Sequence, residues 1–578
     1  ISNATERDVA GFVWAGDNRI CYLQDTGGDE NYHLFAVNVD GSNPVELTPF
    51  EGVRANLVDD LETDENHMLI SLNQRDPRVF DVFRIDVNTG DMELVAENPG
   101  NIQGWVTDND GKVRAAVTSD GVNTSLLYRS DEDGQFENVI TLNFKESLDP
   151  LFFTFDNQLL YVSSNVDRDK KAIYTFDPET AEHLDLIFEH PEVDVSGLMR
   201  SKEREVITGV VYTTDKRAYH FLDDQRRDLQ QILEEKLPGY EVVVTSLSRD
   251  ETKVLARTYS DKSQGAYYFF DTASGDFSKL VDISPWFDES EMADMKPIQF
   301  TSRDGLTIPG YLTVPVGVEA ENLPTVLVVH GGPWARDRWG FNPEVQFLAN
   351  RGYAVLQLNF RGSTGYGREF WEASFKQWGK AMQDDLTDGV QWMVDQGIAD
   401  PNRVGIYGGS YGGYAVLAGL AFTPDLYACG VDYVGVSNLF TLLGSLPPYW
   451  ELGRQMFYEM MGDPENEPDL IREISPLFHA EKITAPLMVV QGANDIRCKK
   501  PEADQIVKAL SDRGIEVPYM VKDNEGHGFR NEENRFDVYR AMEHFLANHL
   551  GGRVEEGSVM PEMTGTVDEL EPVEEEAA

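Results

Sequence analysis

Ser410 stands in the run Gly408-Gly409-Ser410-Tyr411-Gly412-Gly413. A short apolar stretch, residues 404–407, precedes it, and residues 414–420 read as a helix after it. In that strand–turn–helix setting, glycines around a serine permit a sharp turn. The turn lifts the hydroxyl above the sheet and leaves room for the helix to cross. A serine hydroxyl is a weak nucleophile and needs a base, which in turn needs an orienting acid. Asp495, in Gly492-Ala493-Asn494-Asp495, follows the apolar stretch 487–490, and His527, in Glu525-Gly526-His527-Gly528-Phe529, follows 517–521. Of the ten histidines, only His330 and His527 sit in glycine-flanked loops after such stretches. Chain order makes His527 the expected base and Asp495 the expected acid, with Asp504 and Asp523 as competitors for the latter role.

Acyl transfer also needs donors for the oxyanion that develops on the attacked carbonyl. His330-Gly331-Gly332-Pro333 follows the apolar strand at 325–329, which sets backbone N–H groups beside the serine turn. The residue after the nucleophile, Tyr411, supplies a second N–H. The expected oxyanion hole is therefore Gly332 and Tyr411, and His330 reads as a buried, hydrogen-bonded structural residue. No H-E-x-x-H and no His/Cys cluster occurs, so no metal or cofactor is expected. Gly362-Ser363-Thr364-Gly365-Tyr366-Gly367 is glycine-rich but is neither a dinucleotide fingerprint nor a P-loop.

Two kinds of element must carry these groups. From residue 297 onward, short apolar strands alternate with amphipathic segments such as 380–396 and 501–513, the mark of a mostly parallel sheet covered on both faces. In such a sheet, ligand chemistry belongs at the carboxyl ends of the strands. The serine-acid-histidine order is that of an α/β-hydrolase domain, predicted over 289–552. Before residue 290 an aromatic-rich strand ending in Asp or Asn recurs six times, at Asn38, Asp86, Asp131, Asp177, Asp223 and Asp271. These positions are 45 to 48 residues apart. That period, with about four strands per unit, predicts a β-propeller over 1–288. Six blades are visible. A ring normally closes by pairing its ends, so a seventh is expected in the intact protein. Residues 553–578, with one Arg and nine acids, read as a disordered acidic tail.

The chain has 578 residues, with 100 Asp and Glu against 49 Lys and Arg, for a formal net charge of −51. Nucleic acid and anionic membrane surfaces attract basic patches, so neither is an expected partner. Only 18 of the cations are Lys. That balance fits a heavily solvated surface and suggests a high-salt source. Cys21, Cys429 and Cys498 are too few and too scattered for a disulfide framework and read as free thiols. No apolar run of about 18 residues exists to span a membrane. A cytoplasmic location is expected, with a periplasmic or secreted one left open because the sequence starts at Ile1.

Taken together, His330–Pro333, Asn359-Phe360-Arg361-Gly362-Ser363-Thr364-Gly365-Tyr366-Gly367, the Ser410 turn, the Asp495 loop and the His527 loop resemble the prolyl oligopeptidase family. The likeness is greatest to its acylaminoacyl-peptidase-like branch and covers nearly everything but the tail. It implies a serine peptidase whose propeller admits short peptides, with homo-oligomers possible. It also implies that Arg497, two residues after the acid, holds a substrate carbonyl, as a guanidinium can. Tyr449 and Trp450 fall in the insertion that lines the apolar P1 pocket in relatives. Two departures stand out. Cys498-Lys499 replaces the usual Val-Pro. The propeller's only Glu-Glu pair, Glu234-Glu235, lies in a Leu/Lys/Pro setting unlike the amine-binding pair of dipeptidyl peptidases. The expected function is thus an acylaminoacyl-peptidase or oligopeptidase, with a carboxylesterase or a dipeptidyl aminopeptidase as alternatives.

Overall fold

The computed structural model describes residues 7–568. Its first half forms six antiparallel sheets, over residues 11–46, 55–96, 102–143, 148–188, 195–221 and 241–282, here blades 1 to 6. A blade cannot bury both faces alone, so neighbours share cores. Ala15 and Leu34 of blade 1 pack with Met68 and Ile70 of blade 2, and Leu126 of blade 3 packs with Val162 and Phe176 of blade 4.

The recurring Asp has a physical role in this repeat. Asp86 accepts hydrogen bonds from the N–H groups of Asn88 (2.7 Å) and Thr89 (3.1 Å). Asp271 does the same for Ala273 (2.9 Å) and Ser274 (3.1 Å). These Asx turns reverse the chain after the third strand. Blade 5 departs from the expected four strands. It has three, and its equivalent Asp223 caps the helix Asp224–Lys236 through the Arg226 N–H (2.9 Å). That segment carries a single β-branched residue, Ile232, among Gln, Arg, Glu and Leu, so helix wins over strand.

The second half is built on one eight-stranded sheet. Its strands are β1 (Met295–Thr301), β2 (Thr307–Thr313), β3 (Leu323–Val329), β4 (Ala354–Leu358), β5 (Ala399–Gly409), β6 (Cys429–Tyr433), β7 (Leu487–Gly492) and β8 (Tyr519–Lys522). The spatial order is β1-β2-β4-β3-β5-β6-β7-β8, parallel from β4 onward. Leu327 of β3 lies in register with Leu356 of β4 and Ile406 of β5, and all three are fully buried. The helices Ala381–Asp395, Tyr411–Phe422 and Lys500–Ser511 cover one face, and Pro343–Asn350 and Glu532–Leu550 the other. Burial on both faces is why these strands are apolar at nearly every position.

The expected disordered tail is corrected over residues 553–568. This segment has no regular secondary structure but is docked. Met560 and Met563 pack on the hydrophobic cluster of Glu532–Leu550, and the Gly565 N–H donates to the Tyr519 carbonyl (2.9 Å). Asp568 pairs with Lys500 at 2.8 Å. The segment thereby covers the edge strand β8. The remainder of the expected tail, 569–578, lies outside the described residues.

The propeller seats on the loops at the carboxyl end of the sheet. Lys170 of blade 4 donates to the Tyr366 carbonyl (2.6 Å), and Tyr311 donates to the Asp215 carbonyl of blade 5 (2.6 Å). Among the described residues, no helix is long and apolar enough to cross a membrane.

Candidate active site

β5 delivers Ser410 at its carboxyl end, and the helix Tyr411–Phe422 begins at the next residue. Ser410 has φ +60°, a left-handed conformation that is strained for a residue with a Cβ. Its backbone is anchored by a bond from its N–H to the Tyr433 carbonyl (2.9 Å). The turn depends on glycine where backbones meet. A Cβ on Gly412 would lie 2.1 Å from the Val329 carbonyl oxygen.

Asp495 and His527 meet at this turn from the ends of β7 and β8. The Asp495 carboxylate divides its work. Oδ1 accepts from the N–H groups of Arg497 (2.8 Å) and Cys498 (2.9 Å), while Oδ2 faces His527 Nδ1 at 2.8 Å. Fixing one oxygen on the backbone aims the other, and the contact directs the opposite imidazole nitrogen away from Asp495. Glu525, fully buried, shapes the histidine loop by accepting from the N–H groups of Arg530 (3.0 Å) and Asn531 (2.9 Å). The Ser410 hydroxyl makes no hydrogen bond to His527 here. The Cys498 thiol lies within its reach instead, and burial pushes that thiol well up, so it stays protonated. Catalytic hydrogen bonds of this kind often tighten only when substrate binds. Of the two competing acids, Asp504 goes elsewhere: it binds Lys500 and the Tyr519 hydroxyl.

The loop after β3 passes over the serine. Gly331 approaches so closely that a Cβ there would lie 3.0 Å from the Gly409 carbonyl oxygen and 3.3 Å from Ser410 Cβ. Gly332 follows with φ +127°. Tyr411 is the first residue of its helix, so its N–H has no partner within the helix. His330 stacks on Phe360 (4.5 Å) and contacts Ser363 Oγ through Nε2 (3.0 Å). Burial pushes its pKa down to about 4, so it remains neutral.

The long glycine-rich motif after β4 proves to be the scaffold of this loop. Asn359 accepts from the Asp337 N–H (2.7 Å) and donates to the Asp337 carbonyl (3.1 Å). Arg361 grips the buried Asp385 with two bonds of 2.8 Å. Tyr366 lies under the Arg336 guanidinium and accepts from it at 2.7 Å.

Arg497 points along the interface with the propeller. One of its terminal nitrogens donates to Glu30 of blade 1 at 3.0 Å. Burial works against its charge, but the Glu30 contact outweighs that and raises its pKa. Tyr449 and Trp450 lie on the short helix Pro448–Gly453. The Trp450 ring is 5.8 Å from the Arg497 guanidinium, and Tyr449 is 5.5 Å from that of Arg54. Phe457 and Trp334 extend this aromatic wall.

The residue that sequence reasoning missed is Glu30. It sits in the loop joining the second and third strands of blade 1, with φ +57°, and its side chain is 13% exposed. Both Arg497 and Arg54 face it, the latter at 3.5 Å. The Gly27-Gly28 pair ahead of it brings the loop against the histidine loop: a Cβ on Gly28 would lie 3.0 Å from the Gly526 nitrogen. An overlong hairpin loop with paired glycines was the available signal. The Glu-Glu pair instead lies on the helix Asp224–Lys236, where both residues accept from glutamines one turn earlier. Among the described residues, no group of three metal-ligating side chains occurs.

The prolyl oligopeptidase family model matches residues 339–553. Dipeptidyl aminopeptidase BIII of Pseudoxanthomonas mexicana is 37% identical over 568 residues, 96% of this chain and 82% of that protein. The acylamino-acid-releasing enzyme of Arabidopsis thaliana is 28% identical over 225 residues, 37% of this chain and 29% of that protein. Among solved structures, puromycin hydrolase superposes with a TM-score of 0.75 at 19% identity, covering 96% of each chain. Propeller, hydrolase sheet and serine turn are thus accompanied by sequence identity along almost the entire chain, and the protein belongs to the prolyl oligopeptidase family of serine peptidases.

Proposed function

We propose that this peptidase releases dipeptides from the free amino ends of short peptides. In this reading Ser410 Oγ attacks the carbonyl after the second residue while His527 takes its proton. Asp495 orients His527 and stabilises the imidazolium that forms. The Gly332 and Tyr411 N–H groups hold the oxyanion. His527 returns the proton to the leaving amine, and a water, activated by the same histidine, then cleaves the acyl-enzyme.

The observation that carries the exopeptidase mode is Glu30 beside Arg497. The first residue of a peptide offers an α-ammonium and, three bonds away, a carbonyl oxygen. An acid and a guanidinium side by side match that pair, the acid taking the ammonium and the guanidinium the carbonyl. The relative matched over nearly the whole chain is named for dipeptidyl aminopeptidase activity, whereas the acylamino-acid-releasing relative matches only 37% of it. Trp450 and Tyr449 would flank the bound dipeptide. The second reading, release of N-acylated residues, is favoured by the two guanidiniums that flank Glu30, since they offset its charge.

The test compares p-nitroanilides of one apolar residue: a free-amine dipeptide, an N-acetylated single residue and a blocked peptide. The free dipeptide should be cut best, and Glu30→Gln should lower its kcat/KM by about 10- to 100-fold, the loss of a charge-assisted contact. The preference should fade as pH rises past about 8, where the α-ammonium loses its proton. Best cleavage of the acetylated residue would establish the acylaminoacyl reading instead. Turnover of nitrophenyl esters alone would establish the esterase.

A further inference from the structure

A cavity of about 740 Å³, apart from the candidate active site, opens between the propeller and the hydrolase domain. Blades 4 and 5 and the segment leading out of blade 3 supply one wall. The loops after β3 and β4 supply the other. Its charge is opposite to that of the rest of the molecule. Acids outnumber bases about two to one in the chain, yet this cavity is lined by Lys145, Lys171, Arg217, Arg336, Arg338 and Arg368 against one acid, Asp194.

Most of these charges have assigned partners. Lys145 pairs with Glu459 (2.5 Å), Lys171 with Asp149 (2.6 Å) and Arg368 with Glu146 (3.0 Å), all acids outside the cavity lining. Arg336 donates to the Thr213 and Thr214 carbonyls and the Tyr366 hydroxyl. Asp194 accepts from the N–H groups of Lys171 (2.8 Å) and Gly367 (3.2 Å). Arg217 and Arg338 are exposed and, among the described residues, have no acid within ion-pair distance. Arg217 lies over the Tyr219 ring at 5.3 Å, and it and Arg338 keep guanidinium N–H donors of the kind that hold a carboxylate.

Position connects this recess to the reaction. The segment from Gly332 to Arg338 runs directly from the candidate oxyanion hole into the cavity wall. Glu30 belongs to blade 1, whereas the cavity belongs to blades 4 and 5, further round the ring. A peptide held by its amine at blade 1 and cut at Ser410 has its remainder to place beyond the cut. We propose that the cavity binds a carboxylate on this downstream part of the substrate, through Arg217 and Arg338. The carboxylate is the free C-terminus of a short peptide or an acidic side chain near it. This inference rests on the amine-anchored reading for its direction, though not for its chemistry.

The experiment uses the full chain and peptides of three to seven residues. Each is made with a C-terminal carboxylate, with a C-terminal amide, and as an amide with Glu near its end. Each form is also made with a free and a blocked amine. At one length or more, the carboxylate form should exceed the amide about fivefold or more in kcat/KM, mainly through KM, and salt should shrink the difference. R217Q/R338Q should abolish the ratio and R217K/R338K should retain part of it, with thermal unfolding checking each fold. If the double variant does not fold, Arg338→Gln alone serves. Rescue of the amide by internal Glu identifies the side chain as a source, and absence of rescue identifies the C-terminus. Equal cleavage of acid and amide at every length overturns the proposal, as does an acid preference that survives R217Q/R338Q. A blocked peptide that still shows the acid preference leaves the cavity standing and removes the amine-anchored reading.

Discussion

Two loops reach the candidate site from different domains, and they are held in place by different forces. The hydrolase loop 330–332 is fixed by backbone contact. Gly331 nearly touches the serine turn, and the scaffold behind it is a set of buried hydrogen bonds from Asn359, Ser363 and Arg361. The blade 1 loop that carries Glu30 is held by charge. Arg7 grips Asp25 with two bonds of 2.9 Å, Asp25 accepts from the Glu30 N–H (3.3 Å), and Arg7 lies 3.8 Å from Glu525 of the histidine loop. Close packing tolerates almost no displacement, whereas ion pairs at an interface bend and are screened by salt. On the proposed reading this difference is a division of labour: the hydrolase domain sets the rate, and blade 1 sets which peptide end is accepted.

The comparison breaks most sharply at Ser410. Ser410→Ala should lower kcat by about 10⁴- to 10⁶-fold with thermal unfolding unchanged, judged from other triads. Activity within tenfold of the wild type would remove Ser410 from the mechanism. Backbone contact is tested at Gly492, where a Cβ would lie 2.2 Å from the Gly526 carbonyl oxygen. Gly492→Ala must push the histidine loop aside, and misplacement of about 1 Å costs on the order of 10²-fold in rate. All substrates should suffer alike. Charge is tested at Asp25. Asp25→Asn should reduce the preference for free-amine over acetylated substrates by about tenfold, as one charge-assisted pair is lost, and high salt should reproduce part of that change in the wild type. A uniform loss across substrates would mean that the blade 1 loop positions the histidine rather than the substrate.

The smallest expected effect is on stability. Asp432 is buried behind the serine turn, where burial raises its pKa to about 7, and Glu502 nearby is raised likewise. A carboxyl raised in the folded state keeps its proton while the unfolded chain has lost it. Stability should therefore fall as pH climbs from about 4 to about 7, with the full penalty present above that range. Asp432→Asn cannot ionise, so it should flatten this decline and raise Tm at pH 8 by about 2–4 °C. A variant with the same pH slope as the wild type would assign the effect to other groups.

Legibility in the sequence differed between the two regions for a physical reason. Groups that act through a local backbone shape, such as the Ser410 turn and the glycines at 331 and 332, leave a contiguous signature. The propeller period was equally legible, because the same Asx turn recurs in blades 2, 4 and 6. Blade 5 deviated because Asp223 serves as well for a helix cap as for a turn. The segment 553–568 was misread because its acids suggested solvent, while Met560 and Met563 were enough to dock it.

The amino-acid sequence alone determined the two architectures, and it marked Ser410, Asp495 and His527 as the candidate triad, of which the structure brings Asp495 and His527 into contact. These follow from periodicity and from short runs that can fold in only one way. Only the tertiary structure decided that Glu30, more than 460 positions before Arg497, stands beside it. It alone gathered six cations from both domains around one recess. A charge acts on whatever is near in space, and nothing in its immediate sequence has to announce what that will be.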